Sequence, residues 1–200
     1  FNERPGTVSN QYLHDLYRFF KLSVRRHEFR DIFKEKLDLH HIPALSNVLY
    51  SEDILFPIAD FYLKKERWNE AIEVYEEMET IGALQGRGAE YYQKLGYALQ
   101  KNKKYAEAID AYLKADTLKP DNIWNNRHLA ICYRLNRNYQ AALSYYKKVE
   151  EATPEDTNVI FHIGSCLAEL GQYEEAANYF FKLDFIESNC IKAWRGIGWC

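Results

Sequence analysis

A 34-residue period runs through most of this 200-residue chain and restricts it to architectures made by stacking one small unit. Three segments align without a gap. They carry Gly96, Tyr105, Ala108, Tyr112 and Pro120; then Ala130, Tyr139, Ala142, Tyr146 and Pro154; then Gly164, Tyr173, Ala176 and Phe180. Upstream, Ala59, Trp68, Ala71 and Tyr75 fit the same frame, with three extra residues within Ile81-Gly82-Ala83-Leu84-Gln85-Gly86-Arg87-Gly88. Downstream, Trp194 and Ile197-Gly198 open a fifth unit that stops at Cys200. The frame therefore gives units 52–88, 89–122, 123–156 and 157–190, a truncated unit 191–200, and a preceding segment 1–51.

Within a unit the apolar residues keep a helical period. Leu129, Cys132, Tyr133 and Leu135 precede a polar break at Asn136-Arg137-Asn138, after which Ala142, Leu143, Tyr146 and Val149 resume at helical spacing. The unit is predicted to be a helix, a tight turn and a second helix. Pro120-Asp121-Asn122 and Pro154-Glu155-Asp156 end the second helix and offer capping side chains to the next. Small residues at Gly96, Ala130 and Gly164, and at Ala71, Ala108, Ala142 and Ala176, mark places where two helix backbones approach. A bulky side chain there would overpack by roughly 1–3 kcal/mol.

These residues resemble the tetratricopeptide repeat family, whose pattern places an aromatic in slot four, Leu-Gly in seven and eight, Tyr in eleven, Ala in twenty, an aromatic in twenty-four and Pro in thirty-two. Residues 89–122 match best, with Tyr92, Leu95-Gly96, Ala108, Tyr112, Ala115 and Pro120. Departures are local: Asn126 and Ile160 replace the first aromatic, Leu99 and Leu167 replace Tyr, and Ala83 and Ser188 stand where Pro is usual. The resemblance covers about residues 52–200. It implies an all-α, right-handed superhelical solenoid of antiparallel helix-turn-helix repeats. In residues 1–51, Leu13, Leu16, Tyr17 and Phe20 make one amphipathic stripe and Phe29, Ile32, Phe33 and Leu37 another. They read as an N-terminal helical hairpin, either a divergent repeat or a cap over the first full unit.

Charge and chemistry narrow the function. Twenty-six Lys and Arg against 29 Asp and Glu give a net charge of −3, with no broad positive field for nucleic acid. No run of 18 apolar residues exists to span a membrane. Phe1-Asn2-Glu3-Arg4-Pro5-Gly6 is neither a signal peptide nor a start, so the chain reads as a fragment, expected in the cytoplasm. Cys132, Cys166 and Cys200 are 34 residues apart in one small-residue slot, too far from one another for a disulfide or a shared zinc; Cys190 shows no partner. His14, His27, His40 and His41 lack a second ligand set, and His128 and His162, which share slot six, read as surface histidines rather than a metal pair. The glycines at 82, 86 and 88 lack the Lys-Ser/Thr of a phosphate loop. No sequence context positions a nucleophile. A non-catalytic chain without cofactor or metal is the expectation.

Binding is expected on the concave face, which the resemblance assigns to slots two, five, nine and twelve of each first helix. Those slots hold Asp53, Phe56, Asp60 and Leu63, then Glu90, Gln93, Tyr97 and Gln100, then Trp124, Arg127, Ile131 and Arg134. Asn158, Phe161, Ser165 and Ala168 follow, and Lys192, Arg195 and Trp199 close the stripe. The charge runs from acidic at the N-terminal end to Arg and aromatic at the C-terminal end. Such a groove suits a peptide with aromatic and acidic side chains in its C-terminal half. The carboxylate clamp of chaperone-binding relatives, a Lys with two Asn, is replaced by Gln93, Tyr97 and Ile131. The partner is expected to be a protein or peptide, held by a scaffold or by the regulatory or substrate-presenting part of a larger enzyme or signalling protein. Self-association through an exposed C-terminal end is a further expectation.

Overall fold

The computed structural model describes residues 52–82 and 87–200, with side chains from Ile54 onward. The hairpin expected over 1–51 and most of the expected inter-repeat turn, residues 83–86, lie outside the described residues. Among the described residues every regular element is a helix. In order they are α1 (Glu52–Lys64), α2 (Trp68–Thr80), α3 (Gly88–Lys101), α4 (Tyr105–Leu118), α5 (Ile123–Leu135), α6 (Tyr139–Ala152), α7 (Thr157–Glu169), α8 (Tyr173–Ile186) and the short α9 (Ile191–Ile197). Each helix packs on its neighbour in sequence, and the odd-numbered helices also touch across the pairs, α3 with α5 and α7 with α9. This is the expected all-α solenoid, with the first helices of successive pairs side by side.

The turn inside each pair is made by backbone geometry. Glu66, Lys103, Arg137 and Gly171 adopt positive φ of 56°, 64°, 62° and 77°. The next residue then donates its N–H back across the helix end: Arg67 to Tyr62, Lys104 to Leu99, Asn138 to Tyr133 and Gln172 to Leu167, at 2.8–2.9 Å. That is the Schellman closure, which satisfies carbonyls the helix leaves unpaired. Between pairs, Asp121 and Asn189 also take positive φ, 58° and 63°, and two of the following helices gain side-chain caps. Asn122 accepts from the Asn125 N–H at 3.0 Å, and Asp156 accepts from Asn158 and Val159 at 3.0 and 3.1 Å. Pro57 lies inside α1 on an exposed position.

Packing follows the repeat slots. Ala71, Ala108, Ala142 and Ala176 are all 0% exposed, and the slot-twenty-four rings Tyr75, Tyr112, Tyr146 and Phe180 are at most 1% exposed. A Cβ added at Gly96 would sit 2.8 Å from the Tyr112 ring, and one at Gly164 2.8 Å from Phe180. Glycine there lets the two helices of a pair close on an aromatic ring. Cys132 and Cys166 are buried, and burial pushes their thiols up to about 12 and about 11. At physiological pH they are neutral, inert core residues.

Candidate functional site

The odd-numbered helices form one row, and the slots expected to bind lie along it. Tyr97 of α3 and Trp124 of α5 come together, ring centroids 6.2 Å apart, with Trp68 edge-on to Tyr97 at 6.0 Å. Trp124 remains 42% exposed, so the cluster presents an aromatic face. Phe161 of α7 lies apart from it, 6.0 Å from Phe180 and under Lys192. Asn158 is exposed at the start of α7, and Ile131 packs against the core of the central repeats. Gln93 is half-buried, its Nε2 enclosed by the protein. Arg195 and Trp199 are exposed near the end of the row.

Two expectations change. Phe56 is 2% exposed, because its ring packs edge-on against Tyr75 and is covered by Lys94, 4.4 Å above it, and by Arg87 at 5.4 Å. Little of it is open to solvent, and it sits beneath those cations at the wall of a pocket shared with Asp60 and Glu90. The charges at the acidic end and at the centre of the row are also paired within the molecule. Lys94 binds Asp60 and Glu90, both at 2.8 Å, while Tyr75 donates to Asp60 at 3.3 Å. Arg127 is held by Asp156 at 2.7 Å. Burial works against the Asp156 charge, but the Arg127 hydrogen bond and the capped N–H groups of Val159 and Asn158 hold its carboxyl below the usual carboxylate range. Arg127 thus ties α5 to the start of α7.

The two histidines expected at the surface are half-buried parts of the junctions between repeats. His128 stacks on Tyr112, centroids 5.7 Å apart, and His162 stacks on Tyr146 at 5.5 Å. Each junction therefore groups a slot-twelve residue and a slot-twenty-four ring with slot six of the following unit. In the first of these, Gln100 Oε1 accepts from Tyr112 at 3.0 Å and lies 2.7 Å from His128 Nδ1. With the amide oxygen there, Nδ1 carries the proton. In the second, Arg134 takes the Gln100 slot, and its Nε donates to the Tyr146 hydroxyl at 3.4 Å. Burial lowers both imidazoles to about 4, aided by Lys101 and Arg127 at His128 and by Arg134 and Lys192 at His162. Both are neutral at physiological pH. The 34-residue offset shared by His128/His162 and Tyr112/Tyr146 was the signal for this grouping.

No group of three or more His, Cys, Asp or Glu residues arranged for a metal occurs among the described residues. None of the described helices is long and apolar enough to cross a membrane.

Three family models described as tetratricopeptide repeat match residues 55–85, 89–122 and 134–197. The chain belongs to the tetratricopeptide repeat family. Similar solved structures agree on the fold. The one described as MamA MSR-1 C2 is 25% identical, with 78% of this chain and 84% of that chain covered and a TM-score of 0.63. MamA 41-end from Desulfovibrio magneticus RS-1 is 19% identical over 73% of this chain and 81% of that one, with a TM-score of 0.66. A tetratricopeptide repeat protein from Parabacteroides merdae is 20% identical over 72% and 57%, with a TM-score of 0.63. No curated protein matches the sequence significantly. The repeats define a protein-interaction scaffold, a role that is typically non-catalytic.

Proposed function

We propose that the scaffold binds a peptide segment of a partner protein along the row of first helices. The observation that carries this reading is the pairing of Tyr97 and Trp124, contributed by successive first helices and left with an open tryptophan face. Exposed aromatics on a rigid framework supply large contact area at small entropic cost, which is why they dominate peptide and protein interfaces. The test is peptide selection by display against the whole chain, followed by titration of the selected peptides against wild type and Trp124→Ala. Binding weakens at least about tenfold in the variant, the usual loss for a truncated interface anchor, while the circular dichroism spectrum is unchanged. Selected peptides that bind both proteins equally remove the groove reading. Arg127→Glu is the wrong probe, since it would set a carboxylate against Asp156 and loosen the start of α7.

A second reading, self-association, is favoured by apolar side chains around the C-terminal helices. Phe181, Phe185 and Ile186 of α8 and Ile191 and Trp194 of α9 are 40–89% exposed. A second copy that covered them would remove a large apolar surface from water.

A further inference from the structure

The junctions between repeats use the same slots but do not end alike. Behind Gln100–Tyr112–His128 and Arg134–Tyr146–His162 comes Ala168–Phe180–Gly196. The third set has no imidazole to lay over the ring and no polar head in slot twelve. A Cβ at Gly196 would lie 2.6 Å from the Phe180 ring, so α9 closes on that ring through bare backbone. Beside this contact is an open pocket of about 360 Å³. Phe161 and Ser165 of α7, Phe180 of α8, and Lys192, Arg195 and Trp199 in and after α9 line it.

Its electrostatics differ from those at the other end of the row. A pocket of about 290 Å³ between α1 and α3 also holds cations, Lys64, Arg87 and Lys94, but there two carboxylates, Asp60 and Glu90, line the wall and share Lys94, whereas no acidic side chain lines the C-terminal pocket. Neither Lys192 nor Arg195 has an acidic partner among the described residues; Lys192 instead lies 6.0 Å over the Phe161 ring. The C-terminal pocket therefore joins aromatic walls to two uncompensated positive charges.

We infer that this pocket is the specificity-determining subsite of the groove, taking an aromatic side chain from an acidic peptide whose flanking carboxylates reach Lys192 and Arg195. The inference rests on the reading of the first-helix row as a peptide groove. Aromatic walls favour an aromatic anchor, which stacks or packs edge-on. Carboxylates on either side of that anchor supply the charge the two cations lack. Two cations within a chain of net charge −3 offer little hold on a polyphosphate backbone, so the occupant is a peptide.

The experiment uses a fluorescein-labelled peptide with one tryptophan flanked by glutamates, with alanine-for-tryptophan and lysine-for-glutamate versions as controls. Anisotropy titrations compare wild type, Arg195→Glu, Ser165→Tyr and Trp124→Ala. Ser165 occupies the slot held by Tyr97 in α3, so Ser165→Tyr fills the pocket with a side chain this slot already carries elsewhere. Arg195 is exposed and unpaired, so its reversal leaves the fold intact. The glutamate–tryptophan peptide binds wild type, and Arg195→Glu weakens it at least about tenfold. Ser165→Tyr and the alanine peptide each lose about thirtyfold, the scale of a truncated hot spot. Absence of binding to wild type, or equal binding of the alanine or lysine peptide, overturns the subsite. Loss in Trp124→Ala alone keeps the groove and removes the subsite. Loss in Arg195→Glu and Ser165→Tyr with Trp124→Ala unaffected keeps the subsite and removes the Trp124 face.

Discussion

His128 and His162 meet equivalent tyrosines 34 residues apart, yet answer to different neighbours. His128 lies against an amide oxygen that fixes its tautomer, whereas His162 faces the guanidinium of Arg134, which opposes its protonation. Both are held near 4 in the fold against about 6.5 in an unfolded chain. Between those values the unfolded chain binds more protons, so stability is full above about pH 6.5 and is lost as pH falls towards 4. The melting temperature is therefore expected to drop between about pH 7 and pH 5. His128→Gln combined with His162→Gln should flatten that drop, and a wild-type slope in the double variant would show that the imidazoles are not responsible. The sequence placed both residues in slot six and read them as surface histidines, which the half-buried rings correct. Periodicity assigns a side chain to a helix face, while the tyrosine that covers it comes from a helix of the preceding unit.

At the scale of elements, both kinds of turn include residues of positive φ, and they differ in the closure around them. The turns between repeats use side-chain caps at Asn122 and Asp156, both anticipated from Pro-Asp-Asn and Pro-Glu-Asp. The turns within repeats depend on a left-handed residue, and only the one at Gly171 uses glycine. Lys103 and Arg137 carry a Cβ into that conformation, which costs an ordinary residue about 1–2 kcal/mol, partly offset by the extra freedom glycine has when unfolded. Arg137→Gly is expected to raise stability by about 0.5–1 kcal/mol in urea unfolding, because no side-chain contact of the exposed arginine is lost. A loss of stability would mean that the Arg137 side chain contributes something beyond the turn. The polar break Asn136-Arg137-Asn138 announced the turn, but not that it closes with positive φ at Arg137, since arginine has no preference for that region.

At the scale of the molecule, each pair of helices contacts mainly its neighbours, so the array is quasi-one-dimensional, and apolar side chains of α8 and α9 stay exposed. Sedimentation velocity of the whole chain should show a coefficient that rises with concentration, and Phe185→Asp should suppress the rise. Phe185 is 89% exposed, so the substitution spares the core. A coefficient independent of concentration would sink the self-association reading. The 34-residue period by itself determined the stacked helix pairs and the small-residue contacts, because burial of an apolar stripe in a stack requires those residues at that spacing, while the superhelical form and the row on which binding was sought came from the resemblance to the repeat family. Only the tertiary structure decided which of the row's side chains remain available. Lys94 and Asp156 neutralise Asp60 and Arg127, and Tyr75 and Lys94 cover Phe56. Gly196 closes directly on Phe180 where earlier junctions carry histidine, and a pocket lies open beside that contact. Those outcomes depend on partners that arrive from neighbouring repeats, and a helical period carries no information about which side chains meet across them.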